Sequence, residues 1–244
     1  KSQGQRCQPP VISRERAPIA TEHPPPRSPR RLRPALAPAA GSRRVLADIL
    51  SRPSTRARAF AMDAALVLAG VAVVALLAKV SFYIGPVPIT GQTLGVILVG
   101  AALGARRGAV SLTSYMLLGL AGLPIFAGPI AGPAYVLAPS FGFIVGFIPA
   151  AFVAGWFAER AWDRRPVLAF AGFVTASIIP FLIGVPYMAL ILANVVGADV
   201  SFGSIMGAGV LPFIVPGLIK AAFAALLVPG AWLLVRSLDR RTRG

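Results

Sequence analysis

Charge is what this sequence has least of. Only 13% of its residues are charged, about half the share in an ordinary soluble domain, and Asp and Glu together number eight. A soluble chain that is 56% hydrophobic with a mean hydropathy of +0.75 has too few polar groups to cover its surface. A multi-span membrane protein is the class that fits. Cysteine and histidine are equally scarce, with one of each. Cys7 has no intrachain partner, His23 stands alone before a triple proline, and no Cys/His cluster has metal-ligand spacing. Neither a metal nor a cofactor is expected. Only five acids follow residue 58, none of them paired inside an apolar run. There is no HExxH pattern and no GxxxxGK[ST] phosphate loop. Enzyme chemistry is therefore poorly supplied, and the chain is not expected to be an enzyme.

Basic residues are what the chain does have, and their distribution is informative. The formal net charge is +16. Residues 1–58 hold 13 Lys/Arg against Glu15, Glu22 and Asp48, so most of the excess is concentrated there. This segment is rich in Pro, Arg and Ala and has no apolar period, which predicts a disordered basic tail over 1–58. Without a core of its own it is not a nucleic-acid-binding domain. The first methionine is Met62, so part of the tail reads as a gene-model artefact or a targeting peptide, with a plain unstructured extension the simpler reading. Within it, 45–58 reads as a short amphipathic turn lying on the membrane.

The remainder, 59–244, reads as an all-α integral membrane domain of six transmembrane helices. Residues 85–128 set the pattern: a Pro-rich turn, an apolar run, a break at Arg106 and Arg107, a second apolar run and a second Pro/Gly turn. The expected spans are 60–80, 92–104, 109–123, 140–158, 167–193 and 208–235, with ARRG at 105–108 as a tight basic turn. Span 5 is expected to break at Pro180 and Pro186, and span 6 carries prolines at 212, 216 and 229. Lys/Arg occupy the tail, 106–107, 160–165 and the residues after 235, whereas 81–91, 124–139 and 194–206 contain none. The positive-inside rule then places both termini in the cytoplasm. The loop 124–139 holds four prolines and no charge, yet carries Phe126 and Tyr135, so it is expected to fold back over the protein.

One side chain stands out. Lys220 lies near the middle of span 6 with apolar residues or glycine on both sides. A charge at that depth is costly unless it faces a cavity or a partner, and a buried cation suits a small anionic ligand such as a carboxylate. Lys79, at the end of span 1, reads instead as a lysine that snorkels to the interface. Thr90, Gln92 and Thr93 cluster where the first uncharged loop enters span 2, either to bond a ligand or to cap the helix. Tyr115, Phe126, Tyr135 and Tyr187 add aromatic surface to the same half, and Gly128 closes the second Pro/Gly turn at its mouth. Lys220, Gln92, Thr90, Tyr115, Phe126, Gly128 and Tyr187 are the candidate substrate-binding residues. Ala61, Ala65 and Ala69 recur every fourth position on span 1 and form a small-residue face that lets another helix approach closely.

Four segments carry a family resemblance: PVPITGQTLGVILVGAALG, RRGAVSLTSYMLLGLAGLPIFAG, GFIVGFIPAAFVAGWFAERAWDR and PFIVPGLIKAAFAALLVPGAW. Together they resemble the BioY family, the biotin-binding S components of energy-coupling factor (ECF) transporters, over 61–236. The resemblance implies a six-helix cell-membrane protein that captures biotin from outside. It also implies an ECF coupling transmembrane protein docked on the small-residue face of the first helix, and a pair of ABC-type ATPases that drives release. Some members occur without dedicated partners. The loops between helices 1 and 2 and near helix 4 are similar to those that cover the vitamin. Lys220 matches the family's lysine, which suits the valerate carboxylate. Gly217 stands where the family has an acid, APSFGF at 138–143 stands for GPTGGY, and Ser177 and Phe181 stand for an Asn and a Tyr. Two other readings stay open: an S component for another small anionic or vitamin-like molecule, and a structural membrane protein without a ligand.

Overall fold

A backbone that leaves water must satisfy its own N–H and C=O groups, and nearly every apolar run in this chain does so as a helix. The structure, a computed structural model, describes residues 45–50, 55–83, 85–198 and 200–241. The tail over 1–44, including Cys7 and His23, lies outside the described residues, as do 51–54 and Asp199. The elements in order are α1 (Leu46–Leu50), α2 (Arg56–Lys79), β1 (Ser81–Tyr83), β2 (Pro88–Thr90), α3 (Gln92–Leu103), α4 (Ala105–Leu120), a 3-10 turn (Pro133–Leu137) and α5 (Phe141–Glu159). A second 3-10 turn (Trp162–Arg164) leads into α6 (Pro166–Ile191), which ends in a π turn (Leu192–Val196), followed by α7 (Phe202–Gly209) and α8 (Leu211–Arg241). Four helical stretches are long and apolar enough to cross a bilayer: Arg56–Lys79, Phe141–Glu159, Pro166–Val196 and Phe202–Val235. The runs read as spans 2 and 3 are helices of 12 and 16 residues.

Several expectations are corrected. The bend between α3 and α4 is not ARRG but the single residue Gly104, whose φ of 88° disfavours any residue with a Cβ. Arg106 and Arg107 belong to the first turn of α4, where the helix dipole disfavours cations. Acids offset this. Arg107 pairs with Asp48 at 2.7 Å and Asp63 at 2.8 Å, and Glu159 Oε1 accepts from Ala105 N at 3.0 Å. Asp48 belongs to α1, and both Val45 just before that helix and Ala47 within it are buried, so residues 45–48 pack on the protein rather than extend from it. The prolines break nothing: Pro180 and Pro186 lie inside a continuous α6, and Pro216 and Pro229 inside a continuous α8. The loop 81–91 is a two-stranded antiparallel hairpin, Ser81 opposite Thr90. Much of the expected loop 194–206 is helical, taken up by the π turn and α7.

α5 is the centre of the bundle and packs against α3, α4 and α6. Its buried face is largely small: Gly146, Ala150, Ala151, Ala154, Gly155 and Ala158. Small residues let helices approach closely where no water drives them together. The outward faces are apolar, with Leu76, Leu182 and Leu226 all exposed. Such a surface suits hydrocarbon and not water. α2 buries Gly70, Val71, Val74 and Ala78 and leaves Ala61, Ala65 and Ala69 exposed.

Candidate functional site

Lys220 projects from α8 towards the start of α3, across 130 residues of sequence. Its Nζ donates to the Thr90 carbonyl at 2.5 Å and to Thr93 Oγ1 at 3.2 Å. Thr90 is the last residue of β2 and Thr93 lies in the first turn of α3, so the hairpin's return delivers both acceptors. Among the described residues no acid lies within ion-pair distance of Lys220, unlike Arg107, which pairs with Asp48 and Asp63. The lysine is therefore held by neutral oxygens, and its charge is not cancelled by a carboxylate.

Beside it opens a small cavity of about 40 Å³, below the size range of preformed small-molecule sites. The hairpin contributes Val87, Pro88 and Thr90 to its lining, α3 contributes Gln92 and Thr93, and the segment after α4 contributes Tyr135 and Ser140. Phe143, Ile144 and Phe147 of α5, Pro180 and Phe181 of α6, and Phe213 of α8 make the walls apolar. Tyr135 Oη and Ser140 Oγ lie 3.0 Å apart. Burial pushes the Tyr135 phenol above its usual range, so it stays neutral and both donates and accepts. One cation, several neutral polar groups and aromatic walls make a site complementary to a small, partly apolar molecule with an anionic end.

Three of the candidate residues, Thr90, Gln92 and Lys220, meet at this cavity. The other four do not line it; they hold its rim. Thr90 Oγ1 donates to Gln92 Oε1 at 2.8 Å, Gln92 Nε2 donates to Tyr115 Oη at 2.8 Å, and Tyr115 Oη donates to the Ile125 carbonyl at 2.9 Å. The chain of bonds runs from the hairpin through α3 and α4 to the segment 121–140. That segment does fold back. Phe126 is fully buried between Tyr115, at a centroid distance of 5.5 Å, and Tyr135, at 4.3 Å. It fits because residue 119 is glycine: a Cβ there would lie 2.1 Å from the Phe126 ring. Gly128, with a φ of 83°, lies under the Tyr83 hydroxyl of the hairpin. Tyr187 donates to the Val136 carbonyl and packs edge-on against Phe141. Thr90 caps α3 one residue early, its Oγ1 accepting from Gln92 N at 3.2 Å.

The aromatic lining from Phe143, Phe147, Phe181 and Phe213 carried no signal of its own, because phenylalanine in an apolar helix looks the same whether it faces lipid, core or ligand. Ser140 was visible only as part of a departure from a family pattern. Gly217 and Ser177 line a separate apolar recess between α6 and α8. Phe181 and Phe213 line both spaces, 5.9 Å apart, and the Ser177 hydroxyl donates to Phe173 in its own helix.

Comparison with known proteins supplies context for this site. Residues 50–237 match the family model described as the BioY family. The chain is 38% identical over 167 residues to the probable biotin transporter BioY of Pyrococcus horikoshii, covering 68% of this chain and 94% of the relative. It is 36% identical over 170 residues to the biotin transporter BioY of Rhizobium etli, covering 67% and 87%. The fold is similar to a crystal structure of the S-component for biotin from an ECF-type ABC transporter, with a TM-score of 0.58 and 22% sequence identity over 73% of this chain and 94% of that one.

Proposed function

The chain belongs to the BioY family, and on that premise we propose that it is the cell-membrane subunit that captures biotin in the cavity beside Lys220. The observation that carries this reading is the placement of Lys220. A lysine in an apolar helix donates to Thr90 and Thr93 at the edge of a cavity with no acid in its lining. The carboxylate of biotin supplies the missing anion, and the aromatic walls suit its hydrocarbon chain and ring. Thr90, Gln92, Tyr135 and Ser140 are the polar groups available to the rest of the molecule.

In this reading the two shorter helices, α3 and α4, complete six membrane passes together with the four long ones. The Arg-bearing ends lie in the cytoplasm with both termini, as the positive-inside rule requires, and the hairpin and the segment 121–140 face outside. The basic residues 1–58 precede the membrane domain proper. Ala61, Ala65 and Ala69, exposed on α2, offer the face for a coupling transmembrane protein, and ABC-type ATPase subunits provide the energy. The subunit itself performs no chemical step on the vitamin.

The test is equilibrium binding of labelled biotin to purified protein in nanodiscs, before and after Lys220→Ala. Loss of about two orders of magnitude in affinity is expected, since a desolvated charge pair loses one member. Unchanged binding removes Lys220 from the site. A second reading is favoured by Gly217, which stands where the family has an acid: an S component for a different small anion. A thermal-shift screen of vitamins separates the two, because a ligand that binds only the folded state raises the unfolding temperature. A shift with another anion and none with biotin favours the second.

A further inference from the structure

Lys79 is the last residue of α2, and its side chain does not extend freely to the interface. Its Nζ donates to the Pro124 carbonyl at 2.7 Å and to the Phe126 carbonyl at 3.1 Å. The carbonyl between them, Ile125, accepts from Tyr115 at 2.9 Å. Three successive carbonyls of an irregular segment are thus held by two side chains. An ammonium presents three donors, and its bonds to carbonyls are charge-assisted.

The two flanks of the cavity mouth meet at this residue. Through its backbone Lys79 leads directly into the hairpin, whose base is closed by Gly91 N donating to the Val80 carbonyl at 2.9 Å and whose Thr90 lines the cavity. Through its side chain it grips 124–126, where Phe126 packs on Tyr135, which lines the cavity from the other side. We propose that Lys79 is a positioning residue for the ligand site: its ammonium clamps the segment 124–126 to the base of the hairpin, fixes the separation of the two flanks and slows ligand escape. The proposal rests on the cavity being a ligand site, but the clamp itself is measurable without a ligand.

The experiment uses the full chain in nanodiscs with Cys7 replaced by Ser, so that the one native cysteine does not react. A spin label is placed by Ala134→Cys, at an exposed position of the 3-10 turn that follows the clamped segment and carries Tyr135. Lys79→Met keeps the apolar stem and removes the ammonium; Lys79→Arg keeps a cation with several donors. Lys79→Met is expected to increase label mobility in the unliganded protein and to speed dissociation of labelled biotin about fivefold, the effect of one ordinary net hydrogen bond. Lys79→Arg is expected to restore both, with the unfolding temperature of all three proteins similar. Wild-type label mobility in Lys79→Met overturns the clamp, as does an Arg variant that behaves like Met. A lowered unfolding temperature with unchanged release rate assigns Lys79 a stabilising role and also overturns it. If wild-type protein binds no biotin, the functional reading fails while the label still reports on the clamp.

Discussion

At the end of the bundle where α5 runs out, cations meet acids. Arg107 bridges Asp48 and Asp63, Glu159 caps α4, and Asp163, only 1% exposed, accepts from Trp232 Nε1 at 2.5 Å. At the opposite end, around the hairpin and the segment 121–140, there is no acid among the described residues. Lys79, Lys220, Tyr115 and Tyr187 give their donors to backbone carbonyls instead. At the first end charges of opposite sign satisfy one another around an open recess. The second keeps its positive charge uncompensated, and it is the end that holds the cavity beside Lys220. A site for an anion needs that asymmetry, because a resident carboxylate would compete with the ligand for Lys220.

Substitutions at the two ends should therefore act on different quantities, and the largest effect should be on stability. Asp163→Ala leaves the buried Trp232 N–H without its acceptor and should cost about 3 kcal/mol, read by thermal unfolding in detergent, with biotin affinity per folded molecule unchanged. Asp163→Asn keeps an acceptor and should cost less. A large loss of affinity in either variant would blur the division between the ends. Next in size is the segment 121–140. Gly119→Ala drives a Cβ into the Phe126 ring, and overpacking of this kind costs about 1–3 kcal/mol. Because Phe126 must move and Tyr135 with it, biotin affinity should fall roughly tenfold, measured by titration calorimetry. The smallest effect belongs to Arg107→Ala. Its ion pairs are partly exposed, so a loss of about 0.5 kcal/mol that shrinks in high salt is expected, with ligand release rates unaltered. Faster release in that variant would show that the two ends are coupled.

The long helices were legible in the sequence because an apolar run of about 20 residues has few other uses. Lys220 was legible for the complementary reason: a charge inside such a run demands an explanation. The burial of Phe126 and Tyr135 followed from a loop too apolar to be solvated. Other features were not legible. Arg106 and Arg107 drew the bend towards themselves, yet one positive-φ glycine makes it, and the arginines tolerate a helix start because acids from α1, α2 and α5 converge there from distant parts of the chain. Prolines in α6 and α8 read as breaks, but both helices run through them without interruption. The SFY and PIT strands are three residues each, too short for any alternation to show. The same limit applies to the site. Its charge could be found from one residue, whereas Thr93, Ser140 and the aromatic walls become a site only when six parts of the chain converge.

The central claim is that Lys220 meets the ligand's carboxylate, and the direct measurement is a double cycle in protein and ligand. Dissociation constants of biotin and of its uncharged primary amide would be measured for wild type and Lys220→Met in nanodiscs. Wild type is expected to prefer biotin by roughly a hundredfold, and Lys220→Met to bind the two molecules with equal, weak affinity. A preference for the acid that survives unchanged in Lys220→Met would contradict the claim and place the ligand's charge elsewhere.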